Sequence, residues 1–191
     1  MSGVKTGKVI ASGLVLAALA QWAAPRVVQG QDGAAAPADR PLAPTTVILV
    51  RHAEKSVPLG DHPLSREGFS RARELARVLG DAKIEAIYAT NYVRTQQTVK
   101  PLAERLRLPV TNLPTTDQYV MDLLDRIRID HAGQTVVVAS HRLTLPLIIE
   151  ALGASPIPEI AEEQFDRMYV VTITPDGGVT MTTLRYGRQT R

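Results

Sequence analysis

Two histidines and two arginines stand at positions in this chain where their side chains could bind and attack a phosphate group. Arg51 and His52 follow one apolar run, Arg94 comes shortly after a second, and His141 follows a third much later in the sequence. Arginine offers phosphate oxygens a permanently charged, bidentate fork. Histidine, when neutral near physiological pH, offers an uncharged nucleophile. These residue types in combination predict a site that handles phosphate esters.

The four side chains can meet only if the apolar runs before them are neighbouring parallel strands. In open parallel sheets, ligands bind beyond the carboxyl ends of the strands. The residues that follow the successive runs are Arg51-His52, the segment Asn91 to Arg94, the acidic Asp117, and His141-Arg142. The sequence therefore predicts that all of them approach one edge of a sheet.

Strand and helix patterns alternate along the body of the chain, as this arrangement requires. Helical patterns begin after Ser65, after a cap at Thr90 or Asn91, at Tyr119 and at Leu143. Two further alternating runs, joined by the turn sequence Pro-Asp-Gly-Gly, predict a hairpin near the end. The predicted strands are 45–50, 84–89, 108–113, 134–139, 168–174 and 179–186. We expect an α/β fold with three layers, α/β/α, a mainly parallel sheet and an antiparallel C-terminal hairpin.

Length, composition and charge exclude several classes of protein. The chain has 191 residues, of which 45% are apolar and 21% charged, which is typical of one globular domain with or without an appendage. The absence of cysteine excludes disulfides, thiolate metal sites and cysteine nucleophiles. The net charge of +3 comes from Lys5, Lys8 and Arg26, so the rest of the chain is neutral. Nucleic acid is therefore not expected as a partner.

The first thirty residues resemble a targeting segment. A short basic stretch up to Lys8 precedes an apolar run from Val9 to Ala20, and small residues suited to cleavage follow. This layout predicts a signal peptide over 1–30, a flexible linker over 31–44 and the functional domain over 45–191. We expect an exported protein, periplasmic or secreted. The alternative is an uncleaved anchor that extends to Ala24, which would be the chain's only connection to a membrane.

Four motifs in order resemble the histidine phosphatase superfamily, also called phosphoglycerate mutase-like, and the resemblance spans 45 to about 186. The family's Arg-His-Gly signature is similar to Arg51-His52-Ala53, with alanine in the third place. The chain length resembles the small single-domain phosphatases more than the longer mutases. The other matching segments are Leu64–Gly68 with Ala72, Ile87–Thr90 with Arg94, Thr95 and Thr98, and Val136–His141.

The resemblance implies a mechanism and a set of roles. His52 attacks phosphorus in line and becomes a phosphohistidine. Arg51, Arg94 and His141 surround the phosphoryl oxygens and stabilise the transferring charge. These cations take the part that a metal plays elsewhere, so the resemblance implies no metal and no cofactor. The expected enzyme is a phosphoric monoester hydrolase acting on a phosphorylated small molecule or a phosphoprotein, phosphohistidine included.

Positions near the strand ends supply candidates for the remaining roles. Asp117 is the first candidate for the general acid because it follows the third predicted strand, and Asp122 is the second. Lys55 is expected to contact substrate at the rim, and Glu54 to orient an arginine. Arg142 is expected to bind substrate through an added phosphate contact, or else to narrow the pocket. The acidic segment from 159 to 166 is interpreted as a solvated surface.

Three other functions remain open on the sequence alone. A module that binds phosphate esters with little turnover would keep the same arginines, and replacement of His52 separates it from an enzyme. A phosphomutase is disfavoured by chain length. A mononuclear metal site using His52 and His141 is disfavoured because no third ligand stands at a helical spacing from either histidine.

Overall fold

The computed structural model describes residues 43–190, so the predicted signal peptide and residues 31–42 of the predicted linker lie outside the described residues. Among residues 43–190, no helix is long and apolar enough to cross a membrane. The strands are β1 (Thr45–Arg51), β2 (Ile84–Thr90), β3 (Val110–Leu113), β4 (Thr135–Ser140), β5 (Arg167–Ile173) and β6 (Val179–Arg185). The helices are α1 (Arg66–Leu79), α2 (Val93–Leu106), α3 (Tyr119–Asp130) and α4 (Thr144–Ala151).

These strands form one sheet in the order β3-β2-β4-β1-β5-β6. The pairs β3–β2, β2–β4 and β4–β1 are parallel, and β5 and β6 form the antiparallel hairpin. β5 also pairs antiparallel with β1, so the chain reverses direction beside the central strand. The predicted α/β fold with a mainly parallel sheet is confirmed, and β1, β2 and β4 end side by side at one edge.

The core lies on both faces of the sheet because the middle residues of the central strands β1 and β4 form continuous apolar runs. In β1, Val47 and Leu49 face α3 and α4, whereas Ile48 and Val50 face α1 and α2. All four are at most 5% exposed. A strand buried on both sides reads as a continuous apolar run, which is the pattern that predicted it. The two layers of helices complete the three-layer architecture.

Local chemistry sets where the first two helices begin. Ser65 caps α1 by accepting a hydrogen bond from the Gly68 backbone amide at 3.1 Å, as its N-cap pattern predicts. The predicted cap of α2 is wrong: its N-cap is Tyr92, which makes no side-chain cap bond. Thr90 is instead the last residue of β2, and its hydroxyl is engaged elsewhere. The third strand is also shorter than predicted, beginning at Val110.

Candidate active site

His52 lies directly after β1 and is 5% exposed. Its backbone amide donates to the Ser140 carbonyl at 2.9 Å, which ties it to the end of β4. Its ring Nδ1 lies 2.8 Å from the Ala53 carbonyl oxygen. A carbonyl can only accept, so Nδ1 must carry the proton. Nε2 therefore keeps its lone pair, which is the state a nucleophile needs.

Arg51 is held by the segment that precedes β5. Its Nη1 donates to three backbone carbonyls, those of Ala161 at 3.0 Å, Glu162 at 2.7 Å and Gln164 at 3.1 Å. The Phe165 ring lies 4.0 Å from its Cζ. Its Nε is buried and has no hydrogen-bond partner among the described residues. Burial, with the nearby Arg142 charge second, lowers the pKa of Arg51 to about 10, which leaves the guanidinium charged at neutral pH.

Arg94 and His141 approach the site from α2 and from the end of β4. Arg94 Nη2 lies 3.3 Å from His141 Nδ1, and His141 Nε2 lies 3.0 Å from the Thr90 hydroxyl. A guanidinium only donates, so Nδ1 accepts and Nε2 donates to Thr90. Arg94 stacks on Tyr92 at 4.2 Å, and its Nε is buried without a partner in the part of the chain that the structure describes. Both arginines thus keep unused donors.

The two imidazoles lie together and both are held in the neutral form. Their ring centroids are 5.5 Å apart. Burial lowers the pKa of His52 to about 3. The hydrogen bond to the Ala53 carbonyl acts against this effect, and the Arg51 charge adds to it. Burial and the Arg94 charge lower the pKa of His141 to about 4. A cationic neighbourhood that keeps imidazoles uncharged suits an anionic ligand and a neutral nucleophile.

We expect these pKa values to be visible in an NMR titration of the ring signals. An ordinary histidine titrates near pH 6.5. His52 and His141 should show no titration step between about pH 5 and 8, because protonation is deferred until the pH approaches their lowered pKa values. Alanine variants at each position assign the signals. A step near neutral pH in either ring would contradict the neutral pair.

Asp61, which sequence reasoning missed, reaches the site from the loop between Lys55 and Leu64. Its Oδ1 accepts from Arg94 Nη1 at 3.2 Å and from the Val93 backbone amide at 3.1 Å. The base of the loop is closed by a β-bridge between Lys55 and Leu64. An aspartate inside an irregular eight-residue loop carries no pattern of its own, so nothing in the sequence pointed to this contact.

The two acidic residues predicted from sequence do not share this contact. Asp117 is exposed in the loop before α3 and has no hydrogen bond or ion pair with the two histidines or two arginines among residues 43–190. Asp122 is exposed on α3 and lines a surface groove with Pro114 and Asp125. The roles assigned to both therefore rest on sequence position alone.

The two predicted rim cations differ in their surroundings. Arg142 donates through Nη1 to Glu159 at 2.7 Å, so it is engaged in an ion pair beside Arg51. Lys55 donates to the Pro58 carbonyl within its own loop. Burial and the charges of Arg94 and Arg51 lower its pKa, which places it within electrostatic reach of the site. Lys55 keeps a position from which it can contact substrate.

The alanine that replaces the family's glycine is accommodated by packing. Ala53 is fully buried and lies in a small cluster with Leu64 and Ala72. Its backbone amide donates to the Thr98 hydroxyl at 2.9 Å, so α2 also holds the segment that carries His52. The methyl group fills space between the site and α1, and the departure from the family signature leaves the histidine in place.

Glu54 orients an arginine as expected, and that arginine is Arg71 on α1. Arg71 is 3% exposed and donates to both Glu54 carboxylate oxygens, the shortest bond being 2.7 Å. It also donates to the backbone carbonyls of Tyr186 and Arg188, each at 2.8 Å. Gly68 permits this arrangement, because a Cβ there would overlap the Glu54 carbonyl oxygen. Arg71 thus joins the segment after His52 to the C-terminal tail.

Replacement of Arg71 by alanine is expected to lower the free energy of unfolding by about 3–5 kcal/mol, because it breaks a buried ion pair and leaves its partners unpaired. Urea denaturation measures this. The matched control is Arg73→Ala: Arg73 is an exposed residue of the same helix, and its loss should change stability by no more than about 0.5 kcal/mol. Equal effects in the two variants would show that the pair contributes nothing.

The interpretation of 159–166 as solvated surface holds for its three glutamates, which are exposed, and is wrong for the rest of its role. Its carbonyls bind Arg51, and Ile160 is 2% exposed. Asp166 is fully buried and accepts from Arg185 at 2.6 Å and from the Thr190 hydroxyl at 2.8 Å. The pKa of Asp166 is lowered, since these hydrogen bonds outweigh the effect of burial. The contacts with Arg51 could not be predicted from the acidic side chains, because they are made by the backbone carbonyls.

Comparisons with known proteins agree with the motifs and with the fold. The model of the histidine phosphatase superfamily (branch 1) matches residues 47–117. The solved structure of the protein histidine phosphatase SixA complexed with tungstate is 21% identical, with a TM-score of 0.58, and the alignment covers 73% of this chain and 96% of that chain. That likeness shows a shared fold. The family model thus matches the part of the chain that carries the Arg51-His52 and Arg94 motifs, in agreement with the resemblance that these motifs predicted.

Two curated relatives match shorter stretches. A 2,3-bisphosphoglycerate-dependent phosphoglycerate mutase of Methanosarcina mazei is 40% identical over 60 residues, which is 28% of this chain and 25% of that protein. An 8-oxo-(d)GTP phosphatase of Mycolicibacterium smegmatis is 34% identical over 91 residues, 44% of this chain and 28% of that protein. The matches span about a quarter of the length of these relatives.

Proposed function

We propose that this protein is an exported, metal-independent phosphatase that hydrolyses phosphomonoesters or phosphohistidine through a covalent phosphohistidine at His52. One observation carries the proposal. The unprotonated Nε2 of a buried histidine lies among two arginines whose buried Nε groups have no partner within residues 43–190. A phosphoryl group would satisfy both donors and stand before the nucleophile.

The first step is an in-line displacement at phosphorus. The Nε2 lone pair of His52 forms the P–N bond as the P–O bond to the leaving group breaks. Arg51 and Arg94 stabilise the charge on the phosphoryl oxygens, in a site whose cations are held in place before substrate arrives. Arg51 is preorganised by its three carbonyl bonds and Arg94 by Asp61 and Tyr92. These cations support the proposal that no metal is needed.

The leaving oxygen needs a proton, and the second step needs a base. Asp61 is the candidate that the contacts favour over Asp117, because it already touches Arg94. The leaving oxygen would take its proton from water. The Asp61 carboxylate would then accept a proton from the water that attacks the P–N bond, which frees phosphate and restores His52.

Substrate class remains a proposal supported by the relatives. The names of the similar proteins include phosphatases acting on a nucleotide and on protein histidine, and also a mutase. A phosphomutase is the second candidate, favoured by the Methanosarcina mazei match. The two differ in the acceptor: a phosphatase gives the phosphoryl group of His52 to water, and a mutase returns it to a second hydroxyl of the substrate.

Export is part of the proposal and is supported by the order of the N-terminal residues. Basic residues up to Lys8, the apolar run from Val9 to Ala20 and the small residues after it follow the layout of a signal peptide. N-terminal sequencing of the mature protein recovered from producing cells distinguishes cleavage before the globular part from retention of an anchor.

The test of the proposed function is hydrolysis of an aryl phosphate with EDTA present, coupled to trapping of the intermediate. Acid-labile, base-stable phosphate bound to His52 should be found by mass spectrometry after rapid quenching in base. Activity that EDTA abolishes would remove the metal-independent part of the proposal. Tight phosphate binding without turnover or trapped phosphate, in a folded protein, would favour the binding module. Transfer to a second hydroxyl of a substrate would favour the mutase.

A further inference from the structure

A groove of about 750 Å³ lies beside the phosphate site, between helix α1 and the C-terminal residues Arg188–Thr190. We call it the α1–tail groove. Its near end is formed by Glu54, Lys55 and Ser56. Its volume is within the range of pockets that hold small ligands. The phosphate chemistry described above uses none of its walls.

The groove begins close to the nucleophile. Glu54 is the second residue after His52, and consecutive Cα atoms are about 3.8 Å apart, so its Cα lies within about 8 Å of that of His52. The Glu54 carbonyl accepts from the Ser65 backbone amide at 2.8 Å, which places the start of α1 against the same segment. Lys55, which forms part of this near end, lies within electrostatic reach of Arg51 and Arg94, so it is the lining residue that links the groove to the phosphate site.

The charges that line the groove are unbalanced in favour of cations. Arg71 is matched by Glu54, and Glu74 accepts from Arg77 at 2.8 Å. Three of the remaining lining residues are cations that form no ion pair within residues 43–190: Lys55, Arg66 and Arg188. Glu67 is the one remaining acidic residue in the lining. Hydrogen bonds from its own backbone amide and from the Ser65 hydroxyl lower the pKa of Glu67 most, and the Arg66 and Arg188 charges lower it further, so both guanidinium groups lie within electrostatic reach of its carboxylate.

Hydroxyl groups complete the lining. Ser56, Ser65, Ser70 and Thr190 all border the groove. The Ser65 hydroxyl donates to Glu67 and the Thr190 hydroxyl donates to Asp166, so Ser56 and Ser70 supply the hydroxyl donors for a ligand. Guanidinium and hydroxyl donors together are the groups that bind phosphate or carboxylate oxygens. The lining residues Arg66, Ser70 and Glu74 recur every four residues, which extends this helix wall over about 12 Å.

We propose that the α1–tail groove binds a second negatively charged group of the substrate. The preferred substrates would then be phosphomonoesters whose leaving group carries a further phosphate or carboxylate. This proposal rests on the proposed function, since it names the substrate class of that site. Arg66 and Arg188 supply the forks for the second group, and Lys55 connects the groove to the phosphate site.

The experiment compares the wild type with the double variant Arg66→Gln, Arg188→Gln on matched substrates. One pair is fructose 1,6-bisphosphate and fructose 6-phosphate, and the other is a phosphopeptide with glutamates or with glutamines beside the phosphorylated residue. p-Nitrophenyl phosphate, whose leaving group has no second phosphate or carboxylate, reports the basal reaction. The control is Arg73→Gln, which removes an exposed arginine of α1 that does not border the groove.

The wild type should favour the more charged member of one pair by about tenfold in kcat/KM, the effect of one charge-assisted hydrogen bond. The double variant should lose that preference and keep its activity on p-nitrophenyl phosphate, and Arg73→Gln should match the wild type. Preference in the sugar pair identifies a small bisphosphate, and preference in the peptide pair identifies an acidic protein segment.

Two failures are distinguishable. Hydrolysis of p-nitrophenyl phosphate without preference in either pair, or with a preference that survives in the double variant, overturns the groove proposal alone. No turnover of any substrate by the folded wild type overturns the proposed function. The groove is then judged by calorimetry, and equal dissociation constants of the wild type and the double variant for the more charged members would overturn it too.

Discussion

The His52→Ala variant is expected to lose phosphatase activity by at least about 10⁴-fold while it remains folded. No other group near the phosphate site can replace the nucleophile. In His52, Nδ1 donates its proton to the Ala53 carbonyl, which leaves Nε2 free to attack. In His141, Nε2 donates to Thr90 and Nδ1 accepts from Arg94, so neither nitrogen is free. The measurement is kcat/KM on p-nitrophenyl phosphate, with circular dichroism to check the fold.

A second histidine variant controls for nonspecific effects. His131 lies at the other end of the sheet, where it follows α3 and bonds to Tyr88 and Gln134 at 2.8 Å each. His131→Gln keeps a hydrogen-bonding side chain and should retain activity. The two arginines remain in His52→Ala, so that variant should still bind phosphate or vanadate. Substantial turnover in a folded His52→Ala protein would remove His52 from the mechanism.

Replacement of Arg51 by lysine is expected to lower kcat/KM by about 10²–10³-fold, although the charge is conserved. The arginine does two things at once. Its Nη1 is committed to the carbonyls of Ala161, Glu162 and Gln164, and its buried Nε has no partner among the described residues. A planar fork allows both, whereas a single ammonium must leave either the carbonyls or the phosphate unsatisfied.

Steady-state kinetics and thermal denaturation together test this expectation. Arg142→Lys is the matched control, because Arg142 is the next arginine along the same side of the site and its fork is engaged by Glu159. It should change kcat/KM little. If Arg51→Lys kept wild-type kinetics, the bidentate contact with phosphate would be unnecessary and the preorganisation argument would be wrong.

The sequence was sufficient to predict the parts of the fold that depend on burial and topology. The β1 and β4 runs are apolar without interruption, and such a run indicates a central parallel strand that is buried on both faces. Once parallel strands are placed side by side, the residues after them must converge, so the sequence alone predicts that Arg51, His52 and His141 lie together. Arg94 followed from its position after β2.

The parts that could not be predicted depend on loops and on the backbone. Asp61 reaches Arg94 only because of the path of an irregular loop. The carbonyls of 161–164 bind Arg51, and any residue type supplies a carbonyl. Threonine is a common N-cap residue, which is why the sequence predicts a cap of α2 at Thr90. In the structure the Thr90 hydroxyl is hydrogen-bonded to Thr95 and His141 instead.

The carbonyl cradle around Arg51 has a consequence for folding order. Its nearest member in sequence is 110 residues away from the arginine it holds. Contacts at such separation form late, because the loop-closure entropy must be overcome first. A chain in which the segment before β5 has not yet docked on Arg51 therefore lacks a working arginine, whatever else has folded. If the proposed export involves an unfolded chain, the nucleophile stays inert during transit and gains its activity only when folding at the destination is complete.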